Sequence, residues 1–325
     1  MTPPDFRIFR SLEEAAGRFG PCALSIGVFD GVHCGHRRIL RRVTALAAER
    51  GWKPSAMTFD PHPAVVVAPQ RAPKLLSTPE ERVRLIAEAG IAQVLVVPFT
   101  PEFSRLSPEE FVRRVLVEEL DARAVLVGDN FRFGFRHAGD THLLEELGRR
   151  HGFLTEVIPA VRRRGRTVSS SEVRKLIEAG EAAKAARLLE RPHALEGDVV
   201  PGEGRGAKLT VPTLNLAPGE AILPARGVYI TLTRFVEASK LGARRPSVTN
   251  VGYRPSFAGR TLTVETHLLD ASLGPAPPRI QVEFLRRLRE EKKFSTPEEL
   301  KAQILRDAAR ARRYFRQLAA RRGAC

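Results

Sequence analysis

Residues 24–38 read LSIGVFDGVHCGHRR, the pattern of a strand, a turn and the start of a helix. An apolar run from Leu24 to Phe29 suits a buried strand, while Ile39, Leu40, Val43, Leu46 and Ala47 then recur at the spacing of an amphipathic helix. Between them lie Gly27, Gly31 and Gly35, which let the backbone bend or approach a ligand closely, and two histidines three apart, His33 and His36. That order places a helix N-terminus, with its unpaired N–H groups and partial positive charge, at the end of a strand. Such a terminus suits phosphate, and two imidazoles add donors that can follow negative charge onto a departing group. A His-x-x-His pair with Cys34 inside it and Cys22 nearby could also begin a metal site, but no second His/Cys pair with ligand spacing follows.

Working outward, the first half alternates short apolar runs with helical patterns. Strands are predicted near 23–29, 54–59, 93–98, 124–128 and 153–158, and helices near 37–50, 78–89, 107–119 and 141–151. This is the grammar of a parallel, doubly wound α/β sheet. Ligands of such sheets bind at the carboxyl ends of the strands. There the sequence sets Phe29, His33 and His36, the TFDPHP turn (58–63) with His62, and VGDNFRFG (127–134) with Asn130 as an amide and Arg132 as a cation. VSSSEVR (168–174) then places Ser169, Ser170 and Ser171 at a helix N-terminus with Arg174 one turn in, a plain capping pattern when read alone.

The texture changes at Arg191-Pro192. From Glu196 to Arg287 the chain is punctuated by Gly and Pro and carries the β-rich runs GVYITLTRF, PSVTNV, TLTVETHLLD and RIQVEFL, which read as an antiparallel barrel or sandwich. Thr296, before Pro297, Glu298 and Glu299, caps a closing helix. We therefore expect two domains, a doubly wound parallel α/β domain over 1–188 and an all-β antiparallel barrel with a C-terminal helix over 189–325.

Composition narrows the classes. A chain of 325 residues with 43% hydrophobic content has core enough for two domains. Lys and Arg outnumber Asp and Glu by 53 to 37, which raises a nucleic-acid partner. The basic residues concentrate instead at Arg162, Arg163, Arg164 and Arg166 and on the back of a terminal helix whose stripe is Leu300, Ile304, Ala308, Ala311, Phe315 and Leu318. No helix-turn-helix or zinc-finger spacing accompanies them, so a nucleic acid is not expected as main partner. No apolar stretch follows a basic start, no window approaches the roughly eighteen apolar residues of a spanning helix, and Cys22, Cys34 and Cys325 read as free thiols. A cytoplasmic protein without membrane attachment is expected.

The second half has its own motif. In GDVVPGEGRGAKLTVPTLNL (197–216), Gly202, Gly204 and Gly206 form a flexible loop, and Thr213 and Asn215, two apart, share one face of a strand. A hydroxyl and an amide oxygen side by side suit Mg²⁺ and phosphate oxygens. No Gly-Lys dipeptide occurs, so a Walker A loop is excluded, and GEGRG lacks the spacing of a dinucleotide fold.

The ordered series GVFDGVHCGH, TFDPHP, VGDNFRFG and SSSEVR resembles the adenylyltransferase half of prokaryotic bifunctional riboflavin kinase/FAD synthetases, over residues 20–188. PTLNL, NVGYRPSF (250–257), TVETHLLD (263–270) and LREEKKF (288–294) follow in the order of that family's kinase half. The resemblance implies an enzyme that converts riboflavin and ATP to FMN, and FMN and ATP to FAD. It further implies His33 and His36 as ATP-phosphate ligands, Asn130 as a flavin or nucleotide contact, and Ser169, Ser170, Ser171 and Arg174 as a phosphate clamp. Gly27, Phe29, Gly35, His62, Gly202 and Gly206 join the binding set, Thr213 and Asn215 hold Mg²⁺, and Glu265 is the base that takes the riboflavin 5′-hydroxyl proton. Departures from the family pattern are Ser171 for threonine and Asn130 for aspartate in the first half. In the second they are Thr210 for glycine, Leu214 for alanine, Ser256 for threonine, and an ASLG segment after Asp270. They leave two alternatives: an adenylyltransferase with a decayed kinase half, and a basic nucleic-acid-binding protein.

Overall fold

The structure, a computed structural model, describes residues 5–201, 213–237, 240–256, 259–269, 276–292 and 294–322. The chain divides into two compact units, Met1–Ser170 and Ser171–Cys325.

The first unit runs β1 (Arg7–Phe9), α1 (Leu12–Ala15), β2 (Cys22–Ile26), α2 (Cys34–Arg50), β3 (Lys53–Asp60), α3 (Pro63–Val67), α4 (Pro79–Glu88), β4 (Gln93–Pro98), α5 (Pro108–Glu110), β5 (Ala122–Gly128), α6 (Thr141–His151) and β6 (Leu154–Ile158). The six strands form one parallel sheet in the order β1-β4-β3-β2-β5-β6. The chain steps from β2 outward through β3 and β4, then crosses to β5 on the other side of β2. The carboxyl ends of β2 and β5 therefore flank the topological switch point, where open α/β sheets bind ligands.

Period-two alternation fills both faces. Leu24, Ile26, Met57, Leu95, Val125 and Val127 pack with Leu116, Leu144 and Leu147 on one side, and Ala23, Ala56, Val94 and Leu126 pack with Leu40, Val43 and Ile86 on the other. Three details differ from the sequence reading. β1, only three residues long, carries too short a pattern to be read. β2 stops at Ile26 because the chain turns through a left-handed Phe29, at φ 50°. The predicted helix over 107–119 is α-helical only in α5 and widens into a π-helix over Phe111–Glu119. The arginine run forms an exposed hairpin, β7 (Arg162–Arg163) and β8 (Arg166–Thr167), turning at Arg164 and Gly165 with φ 49° and 79°.

The second unit holds α7 (Ser170–Glu178, whose first residue belongs to the first unit), α8 (Ala182–Leu189), β9 (His193–Val200), β10 (Leu214–Leu216), β11 (Gly227–Glu237), β12 (Lys240–Leu241), β13 (Arg245–Ser256), β14 (Gly259–Leu268), β15 (Arg279–Arg289) and α9 (Pro297–Arg322). Antiparallel pairing runs β9-β10-β14-β13-β11-β15 and returns from β15 to β9. The sheet thus closes into a six-stranded barrel, as expected for this half. Leu195, Leu216, Val251, Val264, Val282 and Phe284 fill its interior, while outside it Ile230 and Leu269 meet Ala308 and Ala311 of α9. Thr296 caps α9 by accepting the Glu299 N–H.

The barrel interior is not wholly apolar. The hydroxyls of Thr231, Ser247, Thr233, Thr266 and Thr249, all fully buried, join in that order and back to Thr231 at 2.7, 2.9, 3.3, 2.8 and 2.7 Å. Thr249 donates to Thr266. With one proton per hydroxyl, five donors serve five bonds in a closed ring.

Candidate active sites

In the first unit, α2 begins in the turn after β2. His33 is its N-cap: its Nδ1 accepts the backbone N–H of His36 at 3.3 Å, satisfying one of the terminal donors. An Nδ1 that accepts puts the neutral ring's proton on Nε2, so His33 presents a donor on its other edge. The His36 ring stacks on it, with centroids 3.7 Å apart and planes at 14°, and meets the Phe29 ring edge-on at 5.2 Å. A Cβ on Gly35 would stand 3.0 Å from His33 Cε1, so only glycine leaves the imidazole this position. Likewise a Cβ on Gly27 would press on the Phe29 ring at 3.2 Å. Phe29 itself is buried beneath the turn. Nδ1 of His36 is buried without a hydrogen-bond partner. Burial first, then the neighbouring His33 and Arg82, hold the His36 pKa well below 6.5, so this imidazole is neutral near pH 7.

The turn is tied down from afar. Asp30 is buried, and its carboxylate accepts from Leu76 N at 3.0 Å and from Ser77 N at 3.1 Å, while Gly31 N donates to Ser77 Oγ. Ser170 Oγ donates to the Asp30 carbonyl at 3.0 Å, which brings this serine to the turn. Ser169 precedes it; Ser171 and Arg174 continue α7 within the second compact unit. His62 repeats the capping device of His33, accepting the Ala64 N–H at 3.1 Å at the start of α3. Asn130 is exposed just past β5, its Oδ1 within 3.4 Å of where a Gly128 Cβ would stand. Arg132, expected as a cation of the site, pairs instead with Asp140 at 3.1 Å. Asp140 in turn caps α6, and that backbone hydrogen bond is the main reason its carboxyl titrates below the ordinary range.

A row of rings was not read from the sequence. Phe59, Phe99, Phe103, Phe111, Phe133 and Phe131 follow one another with centroids 5.5 to 6.2 Å apart, starting from the carboxyl ends of β3 and β4 and ending in the loop after β5. Phe59, Phe99, Phe103 and Phe131 are partly exposed. The six positions lie in four separate segments, so no local pattern joins them; only the FRF of residues 131–133 could have hinted at it.

In the second unit, strand register assembles the other site. Asn215 of β10 stands directly opposite Glu265 of β14, which stands opposite Asn250 of β13. Val264, Thr266 and Leu268 are buried, whereas Thr263, Glu265 and His267 are partly exposed on the other face. Leu214 points into the barrel core, leaving Thr213 and Asn215 on its two sides partly exposed. A hydroxyl and an amide oxygen are hard donors of the kind Mg²⁺ prefers, so these two residue types fit the ion. One residue was missed here: Glu291 of LREEKKF sets its carboxylate over Gly252, where a Cβ would meet Oε1 at 2.3 Å and the Asn250 amide nitrogen at 3.2 Å. Gly202 and Gly206 lie outside the described residues. Among the described residues no helix is long and apolar enough to cross a membrane, and no group of three or more His, Cys, Asp or Glu side chains could hold a metal ion.

Two family profiles match: FAD synthetase over residues 17–172 and riboflavin kinase over residues 189–315. The bifunctional riboflavin kinase/FMN adenylyltransferase of Escherichia coli K12 is 37% identical over 90% of this chain and 93% of its own length. The chain belongs to the bifunctional riboflavin kinase/FMN adenylyltransferase family. Its Pseudomonas fluorescens relative of the same name is 35% identical over 94% of this chain and 97% of its own. A solved structure titled as a macrolide-efflux protein from Streptococcus pneumoniae superposes with a TM-score of 0.82, covering 94% of this chain and 98% of that one. At 23% identity it shows only that the family's two-part fold recurs there.

Proposed function

We propose that this family member phosphorylates riboflavin to FMN in its barrel and adenylylates FMN to FAD at its parallel sheet, using ATP in both reactions, with 1–188 and 189–325 as the functional halves. The stacked His33–His36 pair, in the first turn of a helix that His33 caps at the switch point of the sheet, is the observation that carries the reading. The match of separate family profiles to the two halves supports it. In adenylyl transfer an FMN phosphate oxygen bonds to the α-phosphorus as the bond to the pyrophosphate oxygen breaks. The phosphate is already a nucleophile, so no base is needed. His33, through Nε2–H, and His36 donate to the leaving pyrophosphate, and the serine motif with Arg174 clamps the nucleotide. His62 and Asn130 border the bound substrates, and the partly exposed phenylalanines offer a flat heterocycle a surface to stack on.

In the barrel, Glu265 accepts the 5′-hydroxyl proton as that oxygen bonds to the γ-phosphorus and the bond from that phosphorus to the departing ADP oxygen breaks. Thr213 and Asn215 would hold Mg²⁺, which neutralises phosphoryl oxygens when bound. The free thiols support a cytoplasmic location: Cys22 and Cys34 are buried, and burial pushes the Cys22 thiol up to about 12.

Chromatography of riboflavin, ATP and Mg²⁺ incubated with the protein tests this reading, FMN and FAD being the expected products. His36→Ala should stop FAD formation by roughly 10²–10³-fold while FMN accumulates. Glu265→Gln should slow FMN formation by roughly 10²–10⁴-fold and spare adenylylation of supplied FMN. FAD from FMN without FMN from riboflavin would establish the decayed-kinase alternative, and absence of both products would overturn the reading.

A further inference from the structure

Arg82 lies on α4 and is 1% exposed, although arginine side chains on short helices usually reach water. Its Nη1 donates to the Phe59 carbonyl at 2.8 Å and to Thr58 Oγ1 at 3.4 Å, and Thr58 Oγ1 donates to the Val28 carbonyl at 3.0 Å. A hydrogen-bonded line thus runs from α4 through the end of β3 into the turn that bears the histidines. Nε is buried with no partner, and among the described residues no hydrogen bond from the guanidinium to a carboxylate is found. Asp30, Asp60 and Glu80 act on it only through their longer-range fields, and the Asp30 oxygens already accept from Leu76 and Ser77. Burial works against the charge.

A buried cation without a carboxylate hydrogen bond does not stabilise an empty protein; apolar replacements of similar volume are often neutral or stabilising. Its position suggests what it serves. His36 is held neutral in part by Arg82, so the formal positive charge beneath this turn belongs to the guanidinium and not to the imidazole. In a water-poor interior that charge is weakly screened and attracts an anion arriving at the helix N-terminus.

We propose that Arg82 is a positioning residue of the first site, a buried cation that complements a bound pyrophosphate chain and that the ligand-free protein keeps at the expense of its own stability. The proposal rests on reading the parallel sheet as the adenylyl-transfer site.

The test compares full-length wild type, Arg82→Met and Arg82→Lys. It measures the KM for ATP in FAD formation from FMN, the pyrophosphate dependence of the thermal midpoint, the ligand-free midpoint, and FMN formation from riboflavin as a control for the other half. Arg82→Met should raise the KM and weaken pyrophosphate binding by roughly 10- to 100-fold, leave FMN formation unchanged, and hold or raise the ligand-free midpoint. Arg82→Lys should recover most of the binding, because it restores the charge. Unchanged pyrophosphate binding in Arg82→Met would overturn the proposal, whatever happens to the midpoint. So would an Arg82→Lys as weak as Arg82→Met, which would assign the loss to the Phe59 and Thr58 hydrogen bonds. A wild type that makes no FAD, yet whose pyrophosphate stabilisation falls in Arg82→Met, would sink the adenylyl-transfer reading and keep the role of Arg82.

Discussion

His36 ties the chemistry of a single side chain to the pH behaviour of the protein. Its folded-state pKa is held well below the ordinary 6.5, chiefly by burial. Between that lowered value and 6.5 the unfolded chain binds a proton that the folded one declines, so stability falls as pH drops through 6.5 and is fully present above it. The slope from one such group is at most about 1.4 kcal/mol per pH unit. Urea unfolding between pH 7.5 and 5.5 should therefore show wild type losing more stability than His36→Gln, and parallel losses would show that the imidazole is not held neutral. The strand-turn-helix setting of the histidines and their glycines, and the exposed face of Glu265, were legible because each sits in a short motif. Arg82 and Glu291 were not. A helical arginine and one glutamate in a charged run look like solvated residues until the packing of other segments fixes where they lie.

At the scale of elements, the strand, turn and helix from Cys22 to Arg50 could be read locally, since hydrophobic period and glycine punctuation are local properties. What holds the turn could not. Phe29, Gly31 and Val32 all have positive φ, an uncommon state for a β-branched residue, and the turn keeps them there through Asp30 and a segment 46 residues away. Asp30→Ala would leave two backbone N–H groups and the Ser77 hydroxyl without their acceptor in a buried place. A loss of about 2–4 kcal/mol is expected in denaturant unfolding, with FAD formation falling further than FMN formation. Equal losses of both activities would show that the tie supports the fold but not the site. The barrel was expected, but the pairing that closes it was not readable from alternation alone, because β9 meets β15 across some eighty residues of sequence.

For the whole molecule, each compact unit has its own core, so the kinase half should work alone. Where it is cut matters. α8 packs on β15 and β9, burying Ala182, Ala185 and Leu189, and Ala182 belongs to the barrel core. A fragment of residues 171–325 should fold and make FMN but no FAD. One of residues 190–325 should be weaker by at least about 2 kcal/mol, the worth of one buried leucine-sized contact, which a comparison of urea midpoints would measure. Equal midpoints would show that α8 adds nothing to the barrel. The five-hydroxyl ring gives the same barrel a memory of its first injury. Thr249 donating to Thr266 fixes the sense in which every other proton must point, so the ring is a circuit and not five separate bonds. Thr249→Val interrupts it, stranding one donor and one acceptor and freeing the remaining protons to reverse. A second break, Thr233→Val, then strikes a circuit already open. In a double-mutant cycle the pair should cost less than its two parts by roughly 1 kcal/mol, and strict additivity would mean that the protons never circulated together.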